Sequence, residues 1–331
     1  MAGLMSMVAT GAAVAQAPAP APAQTPAPAA AQAAPAKGDP AKAQAVLAAM
    51  TKAMGGDKLT GLKSFTAEGE SRRVFGEREM SGGIELAGLM PDAFQVEQVM
   101  TRPDGMAGPR ISPTIKGTEA FREMTGMGGG GGFMMRMGPG GPGGGPGGPG
   151  GPGAAGPGGA NRQDPSIGIK AELYRTLLGI MPSSPLLSAL TFTHVAEAEA
   201  PNGVADVIDV SGPDGFRARL FVDQAEHRPL MLSYMMRQPR MRQTTAPPQF
   251  KNDDERRAYF EEQRKKFEAE PPPPLVEANV FYTDYRKVDG VMLPHKISRQ
   301  VEGKVQEEWT IEKYKLNAPI KPDQFQKKAS N

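Results

Sequence analysis

Two runs of alternating side chains close the folded part of this chain. In VDGVMLPHKISRQVEGKVQEEWTIEKYKLN, which begins at Val288, only Glu302-Gly303 interrupts the alternation. A period of two broken by a two-residue turn is the signature of a half-buried hairpin. Ile297, Val301, Val305, Trp309 and Ile311 take one face; Lys296, Ser298, Gln300, Gln306, Glu308 and Glu312 take the other. Arg299 and Glu307 fall on the otherwise apolar face, where they can pair across the turn. The same period predicts strands over 65–75, 79–87, 94–100, 190–199, 204–210, 216–223, 229–237, 275–285, 291–301 and 304–316, with a weaker one over 110–116.

Elsewhere the period shifts to that of a helix. Asp39 is a good N-cap, Pro40 suits the first helical position, and Gly55-Gly56 end the element. Between them Ala43, Val46, Leu47, Met50 and Met54 form one apolar face, and a short turn over 57–62 follows. Ile169, Leu173, Leu177 and Leu178 mark a second amphipathic helix, stopped by Pro182. A third, over 253–269, carries opposite charges at i,i+4 spacing, with only Tyr259, Phe260 and Phe267 able to dock it. It reads as a solvated excursion hinged by prolines, an insertion over 247–274. The fold class expected is α+β: a single large curved antiparallel sheet of about 10–11 strands, an incomplete β-barrel, with two or three helices covering its concave side.

Composition divides the chain's 331 residues. Residues 1–15 read as a signal peptide, from the apolar run Leu4 to Val14 and the small-x-small Ala13-Val14-Ala15, though the expected basic residues do not precede it. Residues 16–38 are an Ala/Pro-rich spacer, and 126–160 a Gly/Pro-rich loop interrupting a domain that runs from 39 to 316, followed by a tail over 317–331. Glycine recurs every third residue over 138–159, the collagen period, but glycine also fills most other positions and the segment lies inside a domain. A disordered loop fits better than a trimerising triple helix. The chain has no cysteine, so disulfides, thiolate metal sites and a cysteine nucleophile are excluded. Its net charge of +2 is spread evenly, which argues against nucleic acid, and no apolar run is long enough for a transmembrane helix.

Candidate chemistry is sparse. His194, His227 and His295 lack metal-ligand spacing, and no hydrolase, zinc-protease, phosphate-loop or dinucleotide motif is present. The expectation is a non-enzyme without metal or cofactor. Twenty methionines suit either a core or a surface for variable apolar ligands.

The segments AVLAAMTKAMGGDKLTGLKSFTAEGE, MPDAFQVEQ, RARLFVDQAEHRPLMLSY, DYRKVDGVMLPHKI and EEWTIEKYKLNAPIKPDQF, in that order, resemble bacterial envelope proteins related to the LolA/LolB lipoprotein carriers. The resemblance spans almost all of the expected domain. It implies an incomplete barrel plugged by helices, whose apolar cup holds the acyl chains of a lipid or lipoprotein. The cup residues it points to are Phe94, Val96, Leu220, Leu230, Leu232, Ile297, Val301, Trp309 and Ile311. That family also holds its lid closed with an arginine; no motif assigns it here, and Arg217 and Arg219 are counterparts by position alone. The expected function is an exported lipid-binding carrier or sensor, whose partners are lipid or lipoprotein acyl chains, with another envelope protein also a candidate. The alternative is a non-enzymatic envelope scaffold without a ligand cavity.

Overall fold

The structure is a computed structural model that describes residues 38–76, 78–101, 105–125, 164–200, 203–238, 250, 252–269, 271 and 273–327. The leader, most of the spacer and the Gly/Pro-rich loop lie outside these residues. In chain order the elements are α1 (Pro40–Met54), α2 (Asp57–Thr60), β1 (Ser64–Phe75), β2 (Arg78–Leu89), β3 (Ala93–Thr101), β4 (Ala107–Lys116) and β5 (Glu119–Thr125). Then follow α3 (Pro165–Ile180), β6 (Thr191–Ala200), β7 (Gly203–Ser211), β8 (Arg217–Asp223), β9 (Pro229–Arg237), α4 (Asp253–Ala269), β10 (Leu275–Val288), β11 (Val291–Val301) and β12 (Lys304–Leu316).

Both halves of the chain are antiparallel meanders, and they join where β1 pairs with β12. The result is one 12-stranded sheet in the order β5-β4-β3-β2-β1-β12-β11-β10-β9-β8-β7-β6, open between its two edges. The strand beyond the expected 10–11 is β5, the edge strand that pairs with β4. Hairpin turns match their chemistry: Asp289-Gly290 and Glu302-Gly303 both have positive φ, as two-residue turns between twisted strands require.

A sheet this wide must curl, and one hydrogen bond shows how much. Gln98 on β3 donates from Nε2 to Glu307 Oε1 on β12 at 2.7 Å, although β2 and β1 lie between them. On a flat sheet the two would project in parallel, about 14 Å apart across three strand spacings and offset by four residues along the strands as well, since Gln98 lies in register with Ile84, Gly69 and Ile311. Their meeting requires a concave face. At Gly69 and Gly82, in the strands between, a Cβ would collide with the carbonyl oxygens of Thr310 and Val99. Backbones there approach too closely for any larger residue, as at the corners of barrels.

Topology also dictates what fills the concavity. Since β5 and β6 are opposite edges, the chain joining them has to cross the full sheet. Helix α3 makes contact with β3, β4 and β5 on one wing and with β9 and β11 on the other. Helix α1, capped by the Asp39 side chain accepting from Lys42 N at 2.9 Å, packs against β6 and β11. Ala43, Val46 and Met50 of α1, and Ile169, Leu173 and Leu177 of α3, join the inward strand residues in one continuous core. The backbone of Asp39 also bridges to His194, covering part of the exposed β6 edge.

Two segments depart from this plan. Gln238 N donates to Pro274 O at 3.0 Å and Arg237 pairs with Leu275, so β9 and β10 form a hairpin from whose end the segment carrying α4 is extruded. Beyond Leu316 the chain continues onto the convex side, where Phe325 is fully buried against Ala87 and Ala93.

Candidate functional site

The concave face has an apolar floor crossed by a polar belt. Inward rows on four strands change character along an oblique line: Phe94 and Val96 give way to Gln98 on β3, Phe65 and Ala67 to Ser71 and Arg73 on β1, Ile297 to Arg299 on β11, and Ile311 and Trp309 to Glu307 on β12. Beyond the belt, past a bulge after Arg299, Val301 returns to the core.

Glu307 is the hub. Arg73 and Arg299 stand directly opposite it on its two neighbouring strands. Its Oε1 accepts from Arg73 Nε at 2.8 Å, Gln98 Nε2 at 2.7 Å and Trp309 Nε1 at 3.0 Å. Its Oε2 lies 3.1 Å from a terminal nitrogen of Arg299. Burial pushes this carboxyl up, but the two guanidiniums and the hydrogen bonds from Gln98 and Trp309 outweigh it, holding Glu307 below its ordinary value. It is therefore ionised at neutral pH.

Helix α3 supplies the rest of the belt. Glu172 pairs with Arg122 of β5. One turn later the Arg175 guanidinium lies over the Tyr234 ring of β9, 3.7 Å from its centroid, and 5.7 Å from the centroid of Phe216. The Arg175 carbonyl accepts the Tyr282 hydroxyl at 2.8 Å. Tyr234 also favours the charge of Arg299, so one phenol neighbours both cations. Burial pulls Arg175 below its ordinary value, partly countered by Tyr234 and Glu172, yet a guanidinium stays protonated in such surroundings. The Nε atoms of Arg122, Arg175 and Arg299 are each buried without an acceptor among the described residues. The belt still reaches water: 35% of the Arg299 side-chain surface is exposed.

Of the expected cup residues, Phe94, Val96, Leu220, Leu232, Ile297, Val301, Trp309 and Ile311 all join the continuous core. Leu230 is half-buried and stands outside it. Trp309 works as more than core, since its indole N–H is tied to Glu307. The pairing of Arg299 with Glu307 is as the sequence suggests. Arg217 and Arg219 point away from α3: Ala218 and Leu220 face inward, so the alternate positions face out. Arg219 Nε there bonds Asp209 at 2.7 Å. Arg73, Arg122, Glu172 and Arg175 escaped sequence reading because each looks like a solvated residue within its own element; alternation puts Gln98 on the face of Phe94, Val96 and Met100, but nothing local marks its partner.

A second grouping also went unforeseen. His194, Glu197 and Asp206 bring ligand-type atoms within 4.8 Å of one another at the β6–β7 edge. His194 Nε2 is 2.8 Å from Asp206 Oδ1. However, Lys42 Nζ of α1 lies 2.8 Å from Glu197 and 3.6 Å from Asp206, taking the place of a cation. The Lys42 contact raises the lysine and lowers Glu197, the mutual shift of an ion pair. The arrangement fastens α1 to the sheet. His295 is structural too: its Nδ1 lies 2.7 Å from the Ile311 carbonyl oxygen, and its ring meets Tyr314 edge-on.

Neither a protein-family profile nor a curated protein sequence matches this chain. Among solved structures it is similar to a LolA superfamily protein from Nitrosomonas europaea, at 12% identity, covering 86% of this chain and 97% of that one with a TM-score of 0.45. It is similar to a DUF1329 family protein from Desulfovibrio piger, at 10% identity, covering 87% and 98% with a TM-score of 0.49. A domain from Vibrio parahaemolyticus named for outer membrane lipoprotein sorting gives 10% identity, coverage of 87% and 97%, and a TM-score of 0.49. These include the superfamily that the sequence resembles; at such identities and scores they assign no residue a role.

Proposed function

We propose that this is an exported, non-enzymatic envelope protein that binds the acyl chain of a lipid or lipoprotein on the concave face beneath α3, as a carrier or sensor. The observation that carries the reading is the open curved sheet, whose apolar inner face is bridged from wing to wing by one helix. An acyl chain needs only apolar surface, worth about 0.8 kcal/mol per buried methylene, and this face offers it. In the structure α3 occupies the floor, so the chain enters by displacing α3. Besides its apolar core face, the helix is held by polar contacts that exchange readily: a cation–π stack, a tyrosine hydrogen bond and the Arg122–Glu172 pair. The leader-like residues Leu4 to Val14 support export. No helix among the described residues is long and apolar enough to cross a membrane.

Organic extraction of the protein purified from its native envelope, followed by mass spectrometry, tests the reading. Lipid near one equivalent is expected. An extract without lipid, from a protein that also fails to take up a fluorescent fatty acid, refutes it. One feature favours the scaffold alternative: Phe250, Tyr259 and Phe260 form an aromatic knot at α4, with Phe260 52% exposed. If the extract is empty and excision of α4 abolishes capture of an envelope partner, the scaffold reading replaces the carrier.

A further inference from the structure

We infer that the polar belt is a headgroup site: Arg175, stacked on Tyr234, and Arg299, paired with Glu307, receive the carboxylate or phosphate of an amphiphile whose chain lies on the apolar floor. This rests on the acyl-binding reading above and names the ligand class for it.

The charge count points to an anion. Among the described residues the belt holds four guanidiniums, Arg73, Arg122, Arg175 and Arg299, and two carboxylates, Glu172 and Glu307. Four minus two leaves an excess of two positive charges. Both carboxylates are engaged, Glu307 between Arg73 and Arg299 and Glu172 by Arg122. Arg175 makes no ion pair closer than 4.0 Å with a described residue, only its aromatic stack. A guanidinium placed for packing alone is a poor choice where methionine would serve.

Unmet donors point the same way. Buried polar atoms are nearly always satisfied, and those that are not call for a reason. Here three arginine Nε–H groups on one belt are buried without an acceptor among the described residues. Carboxylate and phosphate oxygens match the guanidinium fork, accepting two parallel hydrogen bonds. The partial exposure of Arg299 provides a route from solvent, while Ile297 and Trp309, the next inward residues along from Arg299 and Glu307, begin the apolar floor. Charge at one level and oil at the next is the layout of an amphiphile.

Binding to the full chain would be measured by equilibrium dialysis with palmitate, a palmitoyl lysophosphatidate, hexadecanol and inorganic phosphate. The emission of Trp309, the sole tryptophan, gives a second readout through its bond to Glu307. At least one of the two anionic amphiphiles should bind roughly tenfold tighter than hexadecanol; which one does so identifies the head as carboxylate or phosphate. Arg175→Gln and Arg299→Gln should bring that preference below about threefold, with hexadecanol affinity unchanged. Raising salt to about 1 M should shrink the preference in the unaltered protein too, which keeps the test decisive if a variant fails to fold. Hexadecanol bound as tightly as both anions overturns the headgroup site and leaves acyl binding standing. Inorganic phosphate bound without any of the amphiphiles overturns both readings, as does no binding at all.

Discussion

Replacing Gly179 with alanine should destabilise this protein, although the same change in an ordinary helix stabilises it. Gly179 is buried near the end of α3, and a Cβ built there falls within 3.0 Å of three ring atoms of Tyr282. The ring cannot simply swing aside. Tyr282 is 1% exposed, and its hydroxyl is tied to the Arg175 carbonyl one turn earlier on the same helix. Either ring or helix has to shift by about 2 Å to restore carbon–carbon contact. Overpacking of this kind costs about 1–3 kcal/mol, and loss of the tyrosine hydrogen bond adds about 1 kcal/mol. Alanine's better helix propensity returns about 1 kcal/mol. The net expectation is a loss of about 2 kcal/mol, or a Tm lower by roughly 4–8 °C for a domain of this size.

Gly168 supplies the control. It lies in the same helix with nothing within 4 Å of its added Cβ, so Gly168→Ala should stabilise by up to about 1 kcal/mol. Thermal and urea unfolding of both variants decide the matter by sign. A double variant, Gly179→Ala with Tyr282→Leu, should be less destabilised than the sum of its parts by about 1 kcal/mol, since the obstructing ring is gone. If Gly179→Ala behaves like Gly168→Ala, α3 does not sit against Tyr282 and the covered concave face is refuted with it.

Glu307→Gln should cost about 3 kcal/mol, because it leaves Arg73 and Arg299 buried side by side without their shared anion. The folded carboxyl is held below its ordinary value, so the unfolded chain binds that proton at higher pH. Its stabilising contribution is thus present above the unfolded carboxylate range, near pH 4, and lost as pH falls through the lowered value. Unfolding midpoints below about pH 4.5 should fall more steeply in the unaltered protein than in Glu307→Gln; parallel slopes would contradict the hub. Excising 239–273 and joining Gln238 to Pro274 through Asn-Gly should leave stability within about 0.5 kcal/mol, read by thermal unfolding. Phe325→Ala should cost about 3 kcal/mol in a urea titration, because the Phe325 side chain is fully buried on the convex face.

What sequence makes visible here follows from the range of each interaction. The bounds of α1 are legible because Asp39, Pro40 and Gly55 act within a turn of the helix they delimit, and α4 because its ion pairs recur every four residues. Arg299 and Glu307 could be paired since a two-residue turn fixes the register of the strands carrying them. Strand β5 escapes because EAFREMT turns Arg122 as well as Ala120 inward, so its polarity does not alternate, and its partner β4 is itself interrupted by Pro113. The belt escapes for a stronger reason. Gln98 and Glu307 lie 209 residues apart in sequence and meet only if the sheet curls through β2 and β1, which lie between them. Arg73 reads as a wet residue beside Arg72 until the pairing with β12 is known. Alternation says which residues share a face, but it assumes that an inward face is apolar throughout. A cup that only stored its own helix would satisfy that assumption and gain stability by filling the belt with aliphatic side chains. This one instead retains buried charge and unmet donors where α3 crosses the sheet. Departures from local consistency of this kind concentrate where a protein works, which is the reason the proposed ligand site takes in the seam between helix and sheet rather than the apolar floor alone.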